Sequence, residues 1–210
     1  AGKLTRPERK LVASGDLSPT VEPTLDYLHV NGIDHADHVG YSYGASKVLA
    51  AAREARRYDH QADHVVSMDP APVQMRTRLG LGLTFNSTGK QLQGYRNATD
   101  SQAYRDASER AGGLLRYSVG LLRLSNLAVA KALTRDNYEQ EAATMLIHSP
   151  DSVLHMMWGG KSELAVDARA QTIADNLHWA FPDRFKHTRF PDQYHAMCDE
   201  LNFHTATILH

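Results

Sequence analysis

A serine with a glycine two residues before it and another two residues after it is the feature of this chain best suited to covalent chemistry. The stretch Asp37-His38-Val39-Gly40-Tyr41-Ser42-Tyr43-Gly44 holds Gly40-x-Ser42-x-Gly44, with a short strand-like segment before it and a run that reads as helix, Ala45 to Arg57, after it. In that context the strand delivers the serine to the carboxyl edge of a sheet, and a tight bend lifts its hydroxyl clear of neighbouring side chains. The two glycines are expected to keep Cβ atoms from colliding where the strand folds back into the helix. A serine hydroxyl is a weak nucleophile without an aligned base, so a histidine downstream is needed as well.

The elements that must position such a serine can be read along the chain. Lys10-Leu11-Val12-Ala13-Ser14 reads as a short strand, ended by Gly15-Asp16 and the turn-forming Ser18-Pro19. Thr20 or Ser18 is placed to cap a helix through Val21 to His29, with Pro23 in its first turn, and Asn31-Gly32 stops it. Asp37 to Tyr41 forms the strand entering the serine turn, and Asp63 to Asp69 reads as a second strand ended by Pro70-Ala71-Pro72. Strand, helix and strand in this order are the signature of a parallel crossover. It brings Ser42 and Asp69 to one carboxyl edge, where open α/β folds build their sites.

Between Val73 and about Ser149 the pattern changes. Gly80, Gly82 and Gly89 break any long element, Asp100 to Arg110 reads as a polar helix, and Leu114 to Leu133 as a helix apolar on more than one face. Arg116, Arg123 and Lys131 interrupt that run, which falls short of a membrane span. A mostly helical insert over 74–149 would cap Ser42 and line a pocket, although the same leucines would equally fill a helical layer. The α/β pattern resumes with Val153 to Gly160, an apolar strand of the kind covered on both faces. Glu163 to Leu177 reads as helix and Phe185 to Phe190 as the last strand, which leaves through Pro191-Asp192-Gln193-Tyr194 to His195. Met197 to Leu209 is expected to be a closing helix. No repeat or linker divides the chain, so the expected architecture is one α/β domain over 1–210, a mostly parallel sheet with flanking helices and a helical cap inserted after the strand ending at Asp69.

This order of features resembles the carboxyl-terminal two-thirds of an α/β-hydrolase of the serine esterase or lipase-like kind, over about residues 20 to 210. The elements that carry the likeness are the serine turn, the strand ending in Asp69-Pro70, the helical insert, the strand ending in Trp158-Gly159, and a loop histidine after the last strand. The resemblance implies a serine hydrolase without a cofactor, acting on a small-molecule ester, with Ser42 as nucleophile and His195 as general base. His187, inside the last strand, is the lesser candidate. Similar hydrolases mostly place the triad acid in a Trp-Gly-x-x-Asp segment after the penultimate strand. Here Trp158-Gly159-Gly160-Lys161 is followed by Ser162, which carries no charge. Two carboxylates stay open as substitutes: Glu163, one residue further on, and Asp69, followed by Pro-Ala as in a lipase-like subset and preferred on that account.

The resemblance also implies the N–H of Tyr43 as one oxyanion donor. The second normally comes from a loop after an earlier strand, and no histidine-glycine oxyanion loop precedes Ser42. Similar hydrolases carry several more strands ahead of the serine than 41 residues supply. The expectations are therefore a chain completed by a missing amino-terminal segment or by homo-oligomerisation, or a reduced domain in which the Ser14-Gly15 turn contributes. The leucines of the insert, with Phe85, Tyr95, Tyr104 and Tyr117, suit a neutral ester with an aliphatic or aromatic acyl group. The alternative reading is a non-catalytic domain of the same fold that binds an apolar ligand or a protein partner through Leu114 to Leu133.

Composition bounds other classes. With 23 Lys and Arg against 24 Asp and Glu, the formal charge of −1 gives no global field for nucleic acid. Arg53, Arg56 and Arg57, followed by Arg76 and Arg78, read as a solvated face balanced by nearby acids, with no nucleic-acid module beside them. The single cysteine, Cys198, rules out an internal disulfide framework and a four-cysteine zinc site without by itself settling the compartment; a soluble protein is expected, its compartment open with the cytoplasm slightly favoured. Asp34-His35, Asp37-His38, Asp59-His60 and Asp63-His64 form repeated acid-histidine pairs, but no His-Glu-x-x-His occurs and no metal is expected. The first ten residues are basic without an apolar core, so they are no signal peptide. The absence of a starting methionine suggests a fragment or a cleavage product.

Overall fold

Four strands, β1 (His35–Tyr41), β2 (Gln61–Met68), β3 (Val153–Gly159) and β4 (Phe185–Phe190), make one parallel sheet in the order β1-β2-β3-β4. They belong to a computed structural model that describes residues 4–71, 73, 128–129, 131–132, 134 and 138–194. The helices described are α1 (Arg6–Ser14), α2 (Ser18–Val30), α3 (Tyr43–Glu54), α4 (Tyr138–His148) and α5 (Asp167–Ala180), with a 3-10 turn over Ala55–Tyr58. Strands that follow sequence order across a sheet send every right-handed crossover to the same face. Accordingly α3, α4 and α5 share one core with that face, in which Leu49, Ala142, Met145, Leu146 and Ile173 meet Val65, Leu154, Met156 and Trp158. Each large apolar side chain fully buried there contributes about 1.5–3 kcal/mol. Helices α1 and α2 add an outer layer on α3 through Val12, Leu17, Val21, Leu25, Ala51 and Ala55.

The register is what matters for function. Tyr41 pairs with Met68, Met68 with Met157, and Gly159 with Phe190. The four strands therefore stop along one line, and Ser42, Asp69, Gly160 and Pro191 leave from the same edge. β3 is buried along nearly its whole length, as its unbroken apolar run predicts for an interior strand.

Several local expectations are corrected. Residues 10–14 are the end of helix α1, not a strand. Thr5 and Glu8 form a reciprocal capping box, Pro7 sits in the first turn, and Gly15 closes the helix at φ 103. A run of three apolar residues, Leu11 to Ala13, does not distinguish helix from strand by period, whereas Thr5-x-x-Glu8 is the readable signal. Helix α2 begins at Ser18 with Leu17 in the cap position and no side-chain cap bond, so Pro19 lies in the first turn and Pro23 inside the helix. Pro23 forgoes the N–H that would bond the carbonyl of Pro19. Helix α5 starts at Asp167, four residues later than its pattern suggested, because Ser162 builds a turn first. Of the expected insert over 74–149, the final element α4 packs into the sheet core, while the helices expected over 100–110 and most of 114–133 lie outside the described residues. So does the expected helix over 197–209.

Candidate active site

Ser42 sits between the last residue of β1 and the first of α3 at φ 57 and ψ −123. A non-glycine residue pays on the order of 1–3 kcal/mol to be held in such a region, so the surroundings must over-determine it. They do so through the main chain. The N–H of Ser42 donates to the carbonyl of Met68 at 2.9 Å, and its carbonyl accepts from Ala45 at 3.0 Å and Ala71 at 3.3 Å. Gly40 supplies the clearance: a Cβ there would stand 2.3 Å from the carbonyl oxygen of Gly44. Gly44 is different, since a Cβ on it would meet nothing within 4 Å. The expected steric need for glycine holds before the serine and not after it.

Tyr43 opens α3, so its N–H is one of the first-turn amides with no acceptor inside the helix. The phenol of the same residue is a separate matter. Its Oη is buried with no hydrogen-bond partner among the described residues, and burial pushes its pKa up to about 12.

Asp69 follows β2 directly, at φ 42 and with no solvent exposure. Its main-chain N–H donates to the carbonyl of Met157 at 2.7 Å. Its carboxylate accepts from the N–H of Gly159 at 3.0 Å and from the hydroxyl of Ser162 at 2.6 Å. Buried charge is costly unless it is hydrogen-bonded, and here both oxygens are. The turn after Asp69 is tied to the serine elbow twice, since Ala71 N–H reaches the carbonyl of Ser42 and Ser46 Oγ donates to the carbonyl of Ala71 at 3.2 Å.

The chain leaving β4 passes over the same place. A Cβ on Gly159 would fall 2.3 Å from the carbonyl oxygen of Gln193, and one on Gly160 would fall 2.6 Å from that of Pro191. Lys161 N–H donates to Gln193 at 2.9 Å, and Gly160 N–H to Phe190 at 2.8 Å. The glycine pair thus lets the exit loop of β4 lie directly on the end of β3, beside the amide that holds Asp69. In the sequence alone the pair marks no more than the end of an apolar strand.

His195 lies outside the described residues, which reach Tyr194 on this side. Glu163 is half-buried in the turn that follows Ser162, ahead of α5. His187 is inside β4, stacked on Trp158 with ring centroids 5.8 Å apart. Trp158 Nε1 donates to Asp167 at 2.9 Å, and Arg189 grips the same carboxylate with two bonds of 2.7 Å. These donors, the guanidinium foremost, hold the Asp167 carboxyl below the usual carboxylate range.

The acid-histidine pairs lace β1 to β2. His35 Nδ1 meets Asp63 at 3.0 Å, and His64 Nδ1 meets Asp37 at 2.9 Å. Among the described residues no three His, Cys, Asp or Glu side chains converge to hold a metal ion. Arg53 bridges Glu54, Glu141 and Ser18, Arg56 pairs with Asp151 and Arg57 with Glu54. No helix among the described residues is long and apolar enough to cross a membrane.

Solved structures share this architecture. The chain is similar to a monoacylglycerol lipase of Paleococcus ferrophilus, at a TM-score of 0.57 and 14% identity over 91% of this chain and 74% of that one. It is similar also to the enol-lactonase of Burkholderia xenovorans LB400, at 0.56 and 12% identity over 92% and 71%. Against the esterase Pf2001 of Pyrococcus furiosus the values are 0.51 and 14% over 100% of this chain and 63% of that one. The chain thus spans less than two thirds of the esterase. No family model and no curated protein sequence matches the chain. The fold is that of the α/β-hydrolases.

Proposed function

We propose that the chain is a serine hydrolase that cleaves a carboxylic ester through an acyl-enzyme. The observation that carries the reading is Ser42 itself, a buttressed serine at positive φ between a parallel strand and a helix amino terminus. The buried, doubly bonded Asp69 one strand away supports it. Ser42 Oγ attacks the ester carbonyl while His195 takes its proton, and His195 then protonates the leaving alcohol. Water repeats the cycle and frees the acid. Asp69 orients the imidazole and offsets its charge, and Tyr43 N–H is one donor to the oxyanion. The loop over Gly159 and Gly160 favours this assignment, because its last described residue, Tyr194, directly precedes His195 in sequence. A lipase, a lactonase and an esterase of the same fold favour ester chemistry over other reactions that fold could host. The acyl group is neutral and aliphatic or aromatic, a reading that rests on the apolar and aromatic composition of the 74–149 stretch.

The test is labelling by a fluorophosphonate serine probe. The chain should react and Ser42→Ala should not. Equal labelling of both would reject the nucleophile, and labelling of neither would favour a ligand-binding domain without catalysis.

A further inference from the structure

We infer that Ser162 is a positioning residue for Asp69, fixing the orientation of its carboxylate; the inference rests on the hydrolase reading above, in which that carboxylate serves the base. Ser162 is buried, and its hydroxyl oxygen has partners with fixed roles. The N–H groups of Leu164 and Ala165 donate to Oγ at 3.2 and 3.1 Å. With both lone pairs engaged, the hydroxyl hydrogen is left to donate, and Asp69 Oδ2 lies 2.6 Å away. Gly159 N–H takes Oδ1 at 3.0 Å, while the Asp69 main chain is held on Met157.

Donors on both oxygens stop the carboxylate from turning about its Cβ–Cγ bond. Its remaining lone pairs then point in one set of directions rather than many, which is what orienting an imidazole requires. A neutral residue after β3 is explained at the same time: the carboxylate arrives from β2, and position 162 supplies a hydrogen instead of a charge.

Ser162 Oγ also closes the turn that leads into α5, so the test must separate positioning from folding. Steady-state hydrolysis of a neutral p-nitrophenyl ester by the full chain does so. Ser162→Ala should lower kcat about tenfold to a hundredfold, the scale of one hydrogen bond to a charged group, with KM within about twofold. The acid limb of the kcat/KM profile should move to higher pH, because a carboxylate that has lost a donor holds the imidazolium proton more tightly. On an Asp69→Asn background nothing is left to position, and the same change should cost no more than about twofold. Ser162→Thr, which keeps the hydroxyl, should restore turnover.

Equal losses on both backgrounds, or Ser162→Ala with parental kcat and acid limb, would overturn the inference. Full turnover by Asp69→Asn beside an inactive Ser42→Ala would remove Asp69 from the reaction, and this role of Ser162 with it, while Ser42 stands. Absence of any Ser42-dependent turnover would overturn the hydrolase reading itself and Ser162's role together.

Discussion

Gly40 and Gly44 bracket Ser42 with opposite tolerances: a Cβ on Gly40 would lie 2.3 Å from the Gly44 carbonyl oxygen and 2.6 Å from its carbon, while a Cβ on Gly44 would meet nothing within 4 Å. The obstacle at Gly40 is backbone, which has no rotamer to escape into, so strand and helix must separate to admit a methyl group. Gly40→Ala should cost about 2–3 kcal/mol, the usual scale of overpacking, and should displace Ser42 enough to lose probe labelling. Gly44→Ala lies inside a helix and should stabilise by up to about 1 kcal/mol with labelling kept. Urea midpoints and probe labelling of the two variants check the contrast; equal effects would show that the elbow needs no close approach.

The choice between the two acids is settled by kinetics. Asp69→Asn should lower kcat on the order of 10³–10⁴-fold, since an amide holds position yet does not offset an imidazolium. It should remain folded at a cost of about 1–2 kcal/mol, because its amide nitrogen faces one of the two donors that Asp69 now accepts from. Glu163→Gln should leave kcat within about threefold. A large loss in Glu163→Gln with little in Asp69→Asn would move the acid to the turn after β3.

What the sequence made legible here follows from how local each signal is. The strand-serine-helix unit is written within the fifteen or so residues around Ser42, and the crossover to Asp69 in the next two dozen, so both were readable. The capping box at Thr5 and Glu8 is as local, but the short apolar run Leu11 to Ala13 suits a strand equally well and points the other way. Ser162 could not be read at all. Its role depends on a carboxylate 93 positions away and on two amides that the turn aims at it. The Gly159-Gly160 pair belongs to the same class, since its reason is a loop more than thirty residues downstream.

Tyr43 joins a main-chain N–H with a proposed role to a side chain that packs against the core. Its N–H is the proposed oxyanion donor, while its buried Oη has no partner among the described residues. Tyr43→Phe removes an unsatisfied hydroxyl without opening a cavity, so it should raise stability by about 1 kcal/mol and leave kcat unchanged. A thermal melt and ester turnover measure the two arms. A large fall in kcat would mean that the phenol itself takes part in the reaction.

A pH-dependent contribution to stability is built in between the middle of β1, at His38, and the residue before β2, His60. His38 and His60 are both buried, with their Nε2 atoms 2.9 Å apart. His60 Nδ1 lies 2.8 Å from the carbonyl of Ile33, which only accepts, so His60 carries its hydrogen on Nδ1 and presents a lone pair at Nε2. His38 therefore donates from Nε2. Burial first, and then the neighbouring His60, hold the His38 pKa below its ordinary value, against a smaller upward pull from Asp37. The sign follows. A histidine harder to protonate when folded favours the unfolded state in acid, so its full contribution is present above the unfolded value of about 6.5 and is lost as pH falls through the lower folded one. The loss should be roughly 1 kcal/mol for each unit by which the two values differ. His38→Gln keeps a donor for His60 and does not titrate, so its stability should vary less between about pH 7 and pH 5 than that of the parent. Urea denaturation across that range checks it, and parallel curves for the two proteins would show that His38 carries none of the dependence.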